Sequence, residues 1–355
     1  MVPTAVVLAN GLLRTPFAKT THGLIRGPSR YHLVGVIDPD HAGLEAGQVL
    51  DGTDRGLPVF ANLDRCLDAV GSRPDACIVG VATVGGVLPT SVRASLLEAA
   101  RTGMNLVNGL HQLLADDREI AGLVAANGGS IHDIRRPKPA SELRFWTGEV
   151  LALDVPRIAV LGTDCAVGKR TTAMMLSREC RRRGLRAEMI YTGQTGWMQG
   201  ARYGFVFDAV INDYVSGEVE HAIVTCDRES EPDVMIIEGQ SSLRNPSGPC
   251  GAEFLLSGGA RAVVLQHAPG REYFEGYERQ KLRIPPLADE IALIAMYGAR
   301  TLAVTLNGAA VSDEALIEHQ KRYERELGIP VVRPLHEGVE RLVPIVREYI
   351  DSQHR

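Results

Sequence analysis

A buried strand that runs directly into a glycine-rich turn and a Gly-Lys pair constrains this chain more than any other feature. Residues 157–172 read RIAVLGTDCAVGKRTT, in which the apolar run RIAVLG leads into a loop and then into an amphipathic helix. In such a phosphate-binding loop (P-loop), backbone N–H groups and the positive end of the helix face phosphate oxygens, and a lysine reaches the terminal phosphates. The segment therefore predicts a site for the phosphates of a nucleotide-type ligand.

The predicted phosphate-binding residues fill the loop and the first turn of the helix. They are Gly162, Thr163, Asp164, Cys165, Ala166, Val167, Gly168, Lys169, Arg170 and Thr171. The match to the pattern GxxxxGK[ST] is imperfect, because Gly162 lies six residues before Gly168 and Arg170 stands where Ser or Thr would bind Mg²⁺. The pattern thus predicts phosphate binding without a metal-binding hydroxyl directly after the lysine.

The length and the order of patterns predict two α/β domains. A chain of 355 residues exceeds what one hydrophobic core ordinarily serves. Strand-like and helix-like patterns alternate on both sides of residues 135–148, where two prolines and mixed charges indicate a linker. We predict a parallel α/β domain over residues 1–148 and a doubly wound P-loop domain over residues 149–355, with ligands at the carboxyl ends of its strands. The predicted strands are 4–10, 32–38, 75–82, 104–109, 157–162, 186–193, 233–239, 261–267, 301–308 and 329–333, and the predicted helices are 61–70, 89–101, 117–126, 168–183, 249–258, 286–299, 312–327 and 338–352.

Composition excludes several classes of partner. The net charge of −5 and the lack of a Lys/Arg-rich run argue against nucleic acid, and no stretch approaches the roughly 20 apolar residues of a membrane span. Six cysteines without CxxC spacing, and no signal peptide, are typical of reduced thiols in a cytoplasmic protein. Exposed apolar stretches are compatible with a homo-oligomer.

Two side chains at predicted strand ends are candidates for acid–base chemistry. Glu238 ends the apolar run VMIIE, the position of a Walker B acid, and is a candidate Mg²⁺ ligand or proton acceptor. His267 ends the predicted strand 261–267, and the near-neutral pKa of an ordinary histidine suits a general base. A turn carboxylate and a structural histidine are the alternative interpretations.

The candidate substrate-binding residues follow strand ends of the same domain. They are Gln194 and Thr195 in TGQTG (192–196), Gln240 and Ser241 in EGQSSL (238–243), and Arg271 in LQHAPGR (265–271). N–H groups or hydroxyls near 192–196 or 240–242 would stabilise an oxyanion, and Arg271 would pair with a carboxylate. Cys165, inside the loop, is an alternative acyl acceptor.

The loop GTDCAVGK, from Gly162 to Lys169, resembles the GTDxxVGK loop of dethiobiotin synthetase, which belongs to a class that activates small carboxylates or amines with ATP. This resemblance covers the loop and the pair Glu238-Gly239. It implies Mg-ATP, managed by Lys169 and Glu238, and a ligase or kinase reaction.

Four blocks in the same order, GTDCAVGKRTT, TGQTG, EGQSSL and LQHAPGR, are similar to a two-domain P-loop family that was long described as a domain of unknown function and is now associated with D-glutamate N-acetyltransferase activity. The resemblance implies a Rossmann-like N-terminal domain, acetyl-CoA as the donor, a small amino acid as the acceptor and an enolase-superfamily racemase as a pathway neighbour. The P-loop would then cradle the phosphates of CoA without hydrolysis. Arg170 and Ser241 depart from the family, which often has Met and Gly there. A nucleotide-binding regulatory module without turnover stays a third interpretation.

Overall fold

The structure, a computed structural model, describes residues 2–353 and divides into two compact units. The first unit comprises Met1–Pro137 and Gln194–Gly200, and the second comprises Lys138–Gly193 and Ala201–Arg355. Each unit holds one all-parallel sheet with helices, which confirms the predicted α/β class. Over the described residues, none of the helices is both long and apolar enough to cross a lipid bilayer.

The first unit is built on a six-stranded sheet with the strand order β3-β2-β1-β4-β5-β6. Its elements are β1 Thr4–Leu8, α1 Lys19–Arg26, β2 His32–Ile37, α2 Ala46–Asp51, β3 Val59–Phe60, α3 Leu63–Val70, β4 Ala76–Val79, α4 Thr90–Arg101, β5 Asn105–Asn108, α5 Arg118–Ala126 and β6 Ile131–Asp133. Along β1, Val6 and Leu8 pack into one apolar cluster while Ala5 and Val7 pack into another. Alternate side chains point to opposite faces, so this central strand is buried on both.

The second unit is built on a seven-stranded sheet with the order β13-β12-β11-β7-β10-β8-β9. In chain order its elements, with α7 of the first unit among them, are β7 Arg157–Gly162, α6 Lys169–Arg182, β8 Ala187–Tyr191, α7 Gln194–Met198, β9 Tyr203–Gly204, α8 Val215–Ser230, β10 Val234–Glu238, α9 Ala252–Leu256, β11 Ala262–His267, α10 Leu287–Met296, β12 Arg300–Leu306, α11 Asp313–Leu327, β13 Val331–Val332, α12 Pro334–Glu337 and α13 Val343–Gln353. Central strand β7 again buries both faces, with Ile158 and Val160 in one cluster and Ala159 and Leu161 in the other.

Helix α8 is the largest element that the sequence patterns did not predict. Its apolar side chains Val215, Val219, Ile223 and Cys226 recur at helical spacing and are buried, so a signal was present. The helix begins after Tyr214, which makes no side-chain cap, and therefore lacks the usual start signal.

The predicted ligand-facing loop 192–196 is instead the start of α7, whose residues pack in the first unit. Met198 is fully buried in an apolar cluster of that unit, and Trp197 stacks on His132 with ring centroids 4.6 Å apart. The Gln199 side-chain amide donates to the Gly23 carbonyl at 2.8 Å. The chain thus leaves the second unit after β8 to add one short helix to the first.

Candidate phosphate-binding site

The P-loop lies between two strand ends of the second unit. Strand β7 pairs with β10 on one side and β11 on the other, so the loop after Gly162 emerges between the ends of these neighbours. Ala166 and Gly168 have positive φ angles of 51° and 112°, and α6 begins at Lys169. Such a turn before a helix N-terminus directs backbone N–H groups into one concavity.

Two glycines leave room for the stem of the loop lysine. A Cβ atom on Gly162 would lie 3.0 Å from Cδ of Lys169 and 2.9 Å from Cγ2 of Val167. A Cβ on Gly239 would lie 2.3 Å from the Val160 carbonyl oxygen and 3.2 Å from the same lysine Cδ. A Cβ at Gly239 would therefore collide with the backbone, and one at Gly162 would crowd the side chains of Val167 and Lys169.

The ammonium of Lys169 is held by main-chain carbonyls. Its Nζ donates to the carbonyl oxygens of Asp164 at 2.6 Å and Ser241 at 2.7 Å. Burial lowers the pKa of Lys169 to about 8. Ser241 has a φ of 33°, a left-handed conformation that favours glycine. Phosphate oxygens are natural substitutes for these two carbonyls.

A fully buried carboxylate, Asp164, organises the loop from within. It accepts hydrogen bonds from the Cys165 amide (2.7 Å), the Asn245 side chain (2.9 Å), Nη1 of Arg271 (2.7 Å) and the Glu275 amide (2.8 Å). Arg271 also donates to the Cys165 carbonyl at 2.7 Å. Arg271 is thus part of the loop scaffold, and its predicted role in binding a substrate carboxylate stays a prediction.

Glu238 is a buried carboxyl at the end of β10. Its Oε2 accepts the Thr192 amide at 3.0 Å, while the Thr192 hydroxyl donates to the Glu238 carbonyl at 2.8 Å and accepts from Nε2 of Gln240 at 2.9 Å. Burial raises the pKa of Glu238 to about 7, against smaller lowering effects of the Thr192 amide and the Arg170 charge. Near neutral pH this carboxyl exists in both protonation states.

His267 is also buried, with the opposite consequence for its pKa. Its Nδ1 lies 2.9 Å from the Thr163 hydroxyl, and its Nε2 lies 3.5 Å from the Tyr323 hydroxyl. Burial lowers the pKa of His267 to about 4, so the ring is neutral and weakly basic at pH 7. Of the two predicted acid–base residues, Glu238 has the pKa closer to neutrality.

Two amides that sequence analysis missed also hold the loop. Oε1 of Gln266 accepts the hydroxyls of Thr172 at 2.5 Å and Thr305 at 2.6 Å, and Nδ2 of Asn307 donates to the Val167 carbonyl at 2.9 Å. Gln266 and Asn307 each lie at the end of a predicted strand, as the predicted site residues do. That position is the signal that could have found them.

The second unit thus contains the whole predicted loop together with Glu238, Gln240, Ser241, His267 and Arg271. The other two candidates, Gln194 and Thr195, belong to the first unit, where the Thr195 hydroxyl lies 3.1 Å from the Thr20 hydroxyl. Substrate binding by Gln194 and Thr195 stays a prediction. In the part of the chain that the structure describes, no group of three or more His, Cys, Asp or Glu residues is arranged to hold a metal ion, and the metal role of Glu238 stays a prediction as well.

A parallel sheet whose central strand leads through a left-handed turn into a helix, with a lysine buried between strand ends, defines a P-loop domain. The chain belongs to the two-domain DUF1611 family. Residues 144–343 match the domain of unknown function DUF1611_C, a P-loop domain, and residues 39–137 match DUF1611_N, a Rossmann-like domain. The family resemblance inferred from the four sequence blocks is confirmed, as is the Rossmann-like first domain.

Curated relatives extend this likeness over most of the chain. A protein of Tritonibacter scottomollicae named D-glutamate N-acetyltransferase is 30% identical over 87% of this chain and 92% of its own length. A protein of the same name from a Pseudoalteromonas species is 30% identical over 81% of this chain and 86% of its own. The crystal structure of a DUF1611 family protein from Anabaena variabilis is 28% identical, with a TM-score of 0.88 over 98% of this chain and 99% of that one.

Proposed function

We propose that this protein is an acyltransferase that moves the acetyl group of acetyl-CoA to the amine of an amino acid, with D-glutamate as the first candidate acceptor. The observation that carries the proposal is the buried carboxyl of Glu238, with a pKa of about 7, at the strand end beside the P-loop. The names of the two curated relatives support the reaction and the acceptor.

The loop is suited to the pyrophosphate of the donor. Loop amides, the N-terminus of α6 and the ammonium of Lys169 offer donors to anionic oxygens, and the ammonium now rests on the carbonyls of Asp164 and Ser241. Acetyl transfer requires no nucleotide hydrolysis. A site of this kind therefore tolerates Arg170 in place of the metal-binding hydroxyl.

Glu238 is the proposed general base. Its carboxylate takes a proton from the acceptor ammonium, and the freed amine nitrogen forms a bond to the acetyl carbonyl carbon. The carbon–sulfur bond then breaks, and the sulfur leaves as a thiolate that takes up the second proton, which the nitrogen loses as the amide forms. A base with a pKa near the working pH is effective in both directions of proton transfer, which favours Glu238 over the neutral His267.

An ATP-dependent ligase or kinase is the second candidate, with Mg-ATP in place of acetyl-CoA. The ligase or kinase is favoured by the loop lysine and by the acid at the end of the neighbouring strand β10, because Mg-ATP sites have the same arrangement. A regulatory module would bind nucleotide without turnover.

The test is to mix the protein with acetyl-CoA and a panel of D- and L-amino acids and to follow free thiol. We expect release with D-glutamate, and Lys169→Ala should raise KM for acetyl-CoA by about 10- to 100-fold through the lost charge-assisted bonds. Lys321→Ala, which removes an exposed lysine of α11, should leave KM unchanged.

Each alternative has its own signature in the same assay. Phosphate release that needs both Mg²⁺ and an amino acid would support the ligase or kinase. Binding of nucleotide without release of either product would support the regulatory module. Absence of thiol release with every amino acid would eliminate the acetyl-transfer proposal.

A further inference from the structure

The segment between β11 and α10 forms an arm that the proposed chemistry does not use. Residues 272–284, here called the 272–284 arm, fold back on themselves: the Phe274 amide donates to the Leu282 carbonyl at 2.9 Å, and the Ile284 amide donates to the Glu272 carbonyl at 2.9 Å. Tyr273 and Arg283 form an antiparallel bridge. The arm is therefore an ordered excursion rather than an unstructured loop.

The base of the 272–284 arm is hydrogen-bonded to the P-loop. The Glu275 amide donates to Asp164 at 2.8 Å, and Arg271, directly before the arm, donates to the same carboxylate at 2.7 Å. Phe274 is buried beside this anchor. The tip, residues 276–281, begins directly after Glu275. Arg279 follows Glu275 by four residues, and four fully extended residues span at most about 14 Å. The side chains of the tip are within a nucleotide's length of the phosphate site.

The tip carries two cationic side chains that have no partner in the described part of the chain. Within residues 2–353, the exposed side chains of Arg279 and Lys281 make no ion pair or side-chain hydrogen bond, whereas Arg283 pairs with Glu272 at 2.8 Å. Glu278 accepts the Gly276 amide at 3.2 Å, so the acid of the tip is engaged with its own backbone.

We propose that Arg279 and Lys281 bind the 3′-phosphate of coenzyme A and make the donor site selective for CoA over nucleotides that lack this group. The inference rests on the proposed function. Coenzyme A carries a pyrophosphate and, one ribose away, a separate dianionic phosphate. The P-loop accounts for the first, and two unpaired cations on an arm anchored to that loop are complementary to the second.

The test compares acetyl-CoA with 3′-dephospho-acetyl-CoA. The double variant Arg279→Gln/Lys281→Gln removes both charges and keeps side-chain length. We expect it to raise KM for acetyl-CoA by about 10-fold or more, as the loss of two charge-assisted contacts predicts, and to leave KM for the dephospho form within about 2-fold. The control is Arg178→Gln/Arg325→Gln, which removes two exposed arginines on α6 and α11 and should change neither value.

Binding measured by thermal shift with CoA and dephospho-CoA separates the two claims. If thiol release fails while CoA still binds more tightly than dephospho-CoA, and only the arm variant loses that preference, acetyl transfer is refuted and the arm's role stands. If turnover proceeds but the preference is equal in wild type and arm variant, the inference is wrong. The inference is also wrong if CoA does not bind.

Discussion

At the scale of single residues, Lys169 and Glu238 are two buried groups of opposite charge beside the P-loop. Lys169 is solvated by two carbonyl oxygens and Glu238 by the Thr192 amide, so main-chain dipoles replace part of the lost water. The replacement is incomplete, since burial moves the pKa of Lys169 down to about 8 and that of Glu238 up to about 7. Both groups change protonation state close to neutral pH.

Glu238→Gln should separate activity from stability. The raised pKa means that folded wild type holds a proton that the unfolded chain releases above its ordinary carboxyl pKa of 4.5, so wild type loses stability as pH rises from there through about 7. The variant avoids this loss and should gain on the order of 1–3 kcal/mol relative to wild type between pH 5 and pH 8.5.

The same variant should lose about 10²- to 10⁴-fold in kcat, while the kcat of wild type rises with pH through about 7 as the carboxylate forms. Urea unfolding at the two pH values and a pH profile of thiol release are the measurements. A stability difference that does not change with pH would show that Glu238 is not the buried titrating group.

At the scale of elements, α8 is joined to the segment before β7 by close packing. A Cβ on Gly217 would lie 1.8 Å from the Arg144 carbonyl oxygen. Glu220, one turn on, accepts the Thr147 amide at 2.6 Å and its hydroxyl at 2.9 Å, and also the Val150 amide at 3.2 Å. A helix without a start signal is thus stabilised by a tertiary contact.

Gly217→Ala should therefore destabilise the second unit by about 1–3 kcal/mol, because the added methyl displaces the segment that carries Trp146. The control is Gly122→Ala in α5, where a Cβ meets nothing within 4 Å, and it should stabilise by about 0.4–1 kcal/mol. Thermal unfolding followed by calorimetry, which records both units, measures the effect. Equal outcomes for the two variants would contradict the packing argument.

At the scale of the whole molecule, the chain contributes to the first unit twice. Gln194–Gly200 belong to it although β7, α6 and β8 precede them in the second unit. Arg30 lies over the Trp197 ring, 4.4 Å from its centroid, and its amide donates to the Met198 carbonyl at 2.8 Å. A cut after Pro137 therefore removes the packing partners of α7.

The chain has two tryptophans, Trp146 and Trp197. In a fragment of residues 138–355 that carries Trp146→Phe, Trp197 is the only tryptophan left. Its emission should shift to longer wavelength than in the full chain with the same substitution, and a fragment of residues 1–137 should reverse the shift when added. The matched Trp197→Phe variant, which reports on Trp146 in the second unit, should not respond. Identical Trp197 emission in fragment and full chain would show that α7 needs no partner from residues 1–137.

Strand β7 illustrates how much of the structure the sequence predicts. Its predicted bounds, 157–162, agree with the structure, and α6 buries Ala173, Leu176 and Cys180 as its spacing predicts. Strand ends were also located closely enough to place Glu238 and His267 beside the loop. These successes share a cause: apolar periodicity and glycine positions are local properties of the chain.

The sequence by itself determined the two parallel sheets, the P-loop turn and the set of polar residues at the strand ends. Only the tertiary structure decided that Arg271 is bonded to Asp164 and that Thr195 lies with Thr20 in the first unit. It also decided which acid–base candidate has a pKa near neutrality. The reason is physical: burial and hydrogen-bond partners come from residues far apart in the chain, and no local pattern encodes how much water each group loses when they meet.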